Sequence, residues 1–141
     1  MIVIAVIGVL AAIAIPQYQN YIARSQVARV MSESGQLRTS VEICVNEGRL
    51  DIGIAAGECD PGATGANLVT GASQTGATLP TGTGVPQVLN PLTTTATITA
   101  IFGNAASAAI STSTLTWTRN TDGGWTCTTT VAAKFRPRGC E

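Results

Sequence analysis

Met1 to Ile15 form an apolar run interrupted only by the bare backbone of Gly8. A helix that crosses a bilayer needs about 20 such residues, so the run falls slightly short of spanning length. No basic stretch precedes it, which argues against a secretory signal. No polar face interrupts it, which argues against an ordinary core helix. The pattern fits a helix that sits in a membrane before assembly and in a bundle of protein helices afterwards.

The periodicity then changes without a linker. Val27, Val30, Met31, Leu37, Val41, Cys44 and Val45 recur at helical spacing and make one amphipathic stripe. Arg24, Arg29, Glu33, Arg38, Glu42 and Glu47 lie mostly off it, and Gly48 is the predicted stop. One helix over residues 1–47 is about 70 Å long at 1.5 Å per residue. The remaining chain cannot cover that length, so the first half must project. Residues 1–23 are read as the projecting segment and 24–141 as a globular head. Pro16 removes a backbone hydrogen bond and crowds the preceding turn, which predicts a bend or loosening over Ile13 to Pro16.

Strand periodicity appears only late. Thr93 to Phe102 alternates, with Ile98, Ala100 and Phe102 on one face, and Ser111 to Thr118 places Leu115 and Trp117 together. Trp125 to Val131 follows Asp122-Gly123-Gly124, which predicts a hairpin with a tight turn. The apolar face of this antiparallel sheet is expected on the stripe of the helix's second half, giving an α+β fold. Gly48 to Pro91 is a long connection punctuated by Gly and Pro, in which a short strand or two is expected but not placed.

The 141 residues fit one domain, and 45% apolar content supplies its core. Formal net charge is zero, which argues against broad electrostatic attraction to nucleic acid or an acidic membrane surface. Pro61 to Thr118 holds no Asp, Glu, Lys or Arg. Strands and loops solvated by Thr and Ser hydroxyls account for it, as would surface covered by neighbours or hydroxyls carrying sugars. No Asn-x-Ser/Thr sequon is present, so any glycan would be O-linked. The four cysteines are Cys44, Cys59, Cys127 and Cys140, without CxxC spacing, and the chain has no histidine. Metal binding is therefore not expected. The pairing Cys44–Cys59 and Cys127–Cys140 closes the shortest loops and implies an oxidising compartment.

The stretch MIVIAVIGVLAAIAIPQYQNYIARSQ, with Gly8, Pro16, Tyr18 and Tyr21 in order, closely resembles the N-terminal helix of type IVa pilins, major subunits of bacterial type IV pili. Trp125-x-Cys127 followed by Phe135-x-Pro137-x-Gly139-Cys140 resembles their C-terminal disulfide-bounded loop. The resemblance implies the pilin fold and assembly through N-terminal helices, with Ile4, Ile7, Gly8, Leu10, Ala11, Pro16, Tyr18 and Tyr21 in the assembly helix. It implies a helical filament of identical copies and a subunit held in the inner membrane of a Gram-negative-type bacterium until assembly machinery extracts it. Processing by a membrane peptidase and N-methylation are implied as well. The implied roles are twitching motility, surface attachment to host-cell receptors, phage reception and DNA uptake, with no cofactor. A minor pilin or the pseudopilin of a type II secretion system shares the same helix. Mature family members begin about six residues earlier, with an N-methylated Phe and a glutamate, so Met1 is expected to match an internal position; those residues would bring the run to spanning length.

Two further groups carry charge. Lys134, Arg136 and Arg138 stand on the closing loop Thr128 to Gly139 without an acid, and are candidates for contact with a receptor, DNA or an acidic patch on a neighbouring subunit. Ordinary solvated charge is the simpler reading. Asp51, Glu58 and Asp60 are better read as solvating a loop than as an acid cluster. With no histidine base, no partnered nucleophile and no phosphate-cradling glycine motif, an enzyme is not expected.

Overall fold

The computed structural model describes all residues, 1–141. Helix α1 spans Ile2–Glu47 and runs unbroken through Ile13 to Pro16, where loosening was expected. Gly48 ends it in the left-handed conformation, at φ 72°. The amides of Gly48 and Arg49 donate to the carbonyls of Val45 and Cys44, so the last turn keeps its acceptors satisfied.

Five strands follow: β1 (Val69–Thr70), β2 (Gln87–Val88), β3 (Thr97–Phe102), β4 (Thr114–Arg119) and β5 (Trp125–Thr129). β3, β4 and β5 form an antiparallel meander, with Ile98 opposite Trp117 and Trp117 opposite Cys127. The other edge of β3 is shared by two short strands, β2 at Ile98 and Thr99 and β1 at Ile101 and Phe102. These are the strands of the 48–91 connection. The turn expected at 122–124 is wider than drawn. Arg119 pairs with Trp125, and Asn120 and Gly124 close the loop with an amide-to-carbonyl bond of 2.7 Å.

The core lies between the sheet and the second half of α1. Ala23, Val27, Val30, Ser34, Leu37, Val41 and Cys44 are buried along one helical line. Ile98, Ala100, Phe102, Leu115 and Trp117 face it from the sheet. Each fully buried aliphatic or aromatic side chain contributes about 1.5–3 kcal/mol relative to exposure. Ser34 sits in this line at no cost in unpaired polarity, since its hydroxyl donates to the Val30 carbonyl at 2.6 Å. Gly35 lies beside it because the Trp117 ring does: a Cβ there would stand 3.3 Å from Cζ2.

Candidate assembly surface

The fold leaves one half of α1 bare. Every residue from Met1 to Gln19 is exposed, including Ile4, Ile7, Leu10 and Ala11, and Tyr18 and Tyr21 are exposed beyond them. Nothing approaches within 4 Å of a Cβ placed at Gly8. The first buried side chain is Ala23. With the residues that follow the run included, α1 is by length and composition long and apolar enough to cross a membrane, and exposure of this much contiguous aliphatic surface marks a site of contact with lipid or protein.

Where α1 enters the head, the C-terminal loop packs against it. Cys127 is bonded to Cys140, and a 3-10 turn, Ala133–Phe135, places Phe135 in the core. The Lys134 ammonium lies 5.0 Å from the Phe135 ring centroid, and the Arg136 Nε donates to the Val131 carbonyl at 2.9 Å. Arg138 is exposed on the same loop. Arg136 therefore lies beside Arg24, with Lys134 and Arg138 on the same loop. A groove of about 460 Å³ runs between α1 and this loop, walled by Tyr21, Ala28, Phe135 and Pro137 and edged by Arg24 and Arg136.

The opposite end of α1 is tied by Cys44–Cys59 to the loop that follows the helix. Asp51, Glu58 and Asp60 do not converge there. The Glu58 carboxylate accepts the Ala55 amide and that of Asp60 accepts the Gly62 amide, both at 2.8 Å, so both shape local turns. No three His, Cys, Asp or Glu side chains gather anywhere in a metal-holding group.

Two tryptophans expected on the strands, Arg38 off the helix stripe and Arg119, which the sequence did not single out, orient the head on the helix. Arg119 forks onto Glu42 through Nε and one terminal nitrogen, with bonds of 2.8 and 2.7 Å, and its third nitrogen donates to the Thr94 carbonyl at 2.8 Å. The Trp125 indole donates to the same carboxylate at 3.3 Å. The Arg119 hydrogen bond holds the Glu42 carboxyl below the usual glutamate range against an opposing effect of burial, with the Trp125 bond adding to it. Arg38 stacks 3.9 Å over the Trp117 ring, whose indole donates to the Met31 carbonyl at 3.3 Å. The signals in the sequence were that Glu42 and Arg38 lie off the apolar stripe and that Trp117 lies on the sheet face expected against the helix.

Comparison with known proteins agrees with this architecture. Residues 23–141 match the family described as pilin, a bacterial filament protein. A type IV major fimbrial protein FimA of Dichelobacter nodosus is 53% identical over 146 residues, covering 100% of this chain and 90% of the relative. A probable minor fimbrial protein of the same organism is 49% identical over 142 residues, covering 100% of this chain and 89% of the relative. Fimbrial protein Q of Moraxella bovis is 35% identical over 156 residues, covering 100% and 92%. In fold, the chain is similar to the crystal structure of a Cs1 pilin chimera, with a TM-score of 0.67 at 23% identity over 86% of this chain and 98% of that one. The chain belongs to the pilin family, structural subunits of bacterial filaments and not enzymes.

Proposed function

We propose that this chain is the main repeating subunit of a type IV surface filament, held together by side-by-side packing of the apolar half of α1 from many copies. The observation that carries this reading is a helix whose first nineteen residues are all exposed and almost all apolar. Before assembly the same segment rests in the inner membrane of a Gram-negative-type cell, and the pilus assembly machinery draws it into the fibre. In the fibre the heads face outward and serve attachment and twitching motility. Lys134, Arg136 and Arg138 are the candidate contacts for an anionic receptor, phage or DNA, because no acid shares their loop.

The experiment is a deletion of the gene followed by electron microscopy and protein staining of sheared surface material. Loss of the fibres, with this chain as their dominant band in the parent, is the expected result. The 49% identity to a probable minor fimbrial protein favours a second reading, a minor subunit. Abundant fibres surviving the deletion would select it. For the basic loop, Lys134→Ala/Arg136→Ala/Arg138→Ala should lower DNA and cell binding per mass of fibre severalfold and flatten its salt dependence. Equal, salt-insensitive binding would remove the loop from that role.

A further inference from the structure

Charge on the head is segregated along the helix axis. Arg24 and Arg136 edge the groove where α1 enters the head, with Lys134 and Arg138 on the same loop and Glu141 following its closing cysteine. Glu47, Asp51, Glu58 and Asp60 gather at the far end, against Arg49 alone. Between the ends Arg29 pairs with Glu33 and Arg119 with Glu42, with Asp122 on the turn beside that second pair and Arg38 over the Trp117 ring. A molecule of zero net charge therefore presents a basic and an acidic end.

Each end also carries an apolar feature of opposite shape. At the basic end this is the groove walled by Tyr21, Ala28, Phe135 and Pro137. At the acidic end Ile54 stands 74% exposed at the tip of the loop anchored by Cys44–Cys59, with Leu50 42% exposed at its root. Nothing within the chain covers Ile54, and Asp51, Glu58 and Asp60 surround it in sequence.

We propose that the Ile54 loop of one copy seats in the Tyr21–Phe135–Pro137 groove of the next, with Asp51 and Asp60 meeting Arg24 and Arg136. This contact rests on the filament reading above and deepens it by naming a head-to-head-domain interface outside the helical core. The two patches are unlike, so the contact is heterologous. It repeats without closing when each copy is shifted along the axis, which is the requirement of an open helical array. The shift it needs is the length of α1 from Arg24 to Glu47, about 35 Å. Like ends of two copies repel, so the charge pattern also sets the polarity of stacking.

Cross-linking of fibres tests the contact directly. The four native cysteines are all bridged, so cysteines introduced by Ser25→Cys and Ile54→Cys are the only free thiols. Fibres sheared from cells making the full-length double variant are treated with a short bis-maleimide and run on a denaturing gel. A ladder of linked copies from the double variant, absent from both single variants, is expected. Independently, Arg24→Glu/Arg136→Glu should lower fibre yield at least tenfold, and adding Asp51→Arg should restore part of it. Fibres of the double-cysteine variant that run only as monomers, or normal yield from the Arg24→Glu/Arg136→Glu variant, overturn the docking. If the unaltered chain makes no fibres, the filament reading itself fails instead.

Discussion

Glu42 shows how one residue off the apolar stripe fixes the head on its helix. Arg119 and Trp125 both donate to its carboxylate, and the remaining Arg119 nitrogen is held by the Thr94 carbonyl. A half-buried carboxylate of this kind stabilises the fold only while it is charged. Its pKa is lowered in the folded chain, chiefly by the Arg119 hydrogen bond, so the unfolded chain binds the proton more tightly. The stabilisation is therefore whole above the ordinary glutamate value and is lost as pH falls through the lowered folded one. Glu42→Gln should cost about 1 kcal/mol near neutral pH, given its partial exposure. Denaturant midpoints of the detergent-solubilised chain at pH 7 and pH 3 should show the gap between variant and parent closing in acid. A gap of constant size would mean that the side chain acts through shape alone. None of this was legible beforehand. Glu42 and Arg119 are 77 positions apart, and off-stripe placement says only that a residue avoids the core.

Among the elements, legibility followed the length of the periodic pattern. α1 could be read from end to end because its buried line repeats through six turns, from Ala23 to Cys44, before Gly48 stops it. β3 and β4 were readable because six alternating residues each suffice to show a period of two. β1 and β2 have two residues each, too few to show any period, and they exist because β3 offers them an open edge. The loop after α1 has no regular element and relies on Cys44–Cys59 and the Asn90 side chain, which accepts the Ile52 amide at 3.1 Å. Closing a loop of this length is worth about 3 kcal/mol through the unfolded chain. Cys44→Ser/Cys59→Ser should lower unfolding stability by roughly that amount. Limited proteolysis should then cut within 51–58 before any strand. Cleavage that begins instead in the sheet would show that the bridge holds the core rather than the loop.

At the scale of the molecule, one sequence carries two surfaces with separate demands. The head completes its own core, and Met1 to Gln19 contribute nothing to it, since none of them is buried. The segment's aliphatic side chains gain nothing until lipid or further copies cover them. Ile4, Ile7 and Leu10 are 73%, 60% and 61% exposed in the lone chain. If packing between copies covers them, truncating each to Ala removes about 2–5 kcal/mol from every subunit of the fibre. Alanine keeps the helix and its apolar character, so membrane residence should persist. Ile4→Ala/Ile7→Ala/Leu10→Ala should therefore leave the near-ultraviolet signal and unfolding midpoint of the head unchanged while fibre yield and heat resistance fall sharply. The outcome separates two roles of one helix. A destabilised head would mean that the segment folds back on it. Fibres as abundant and heat-resistant as the parent's would mean that contacts between heads, rather than the bare helices, hold the filament.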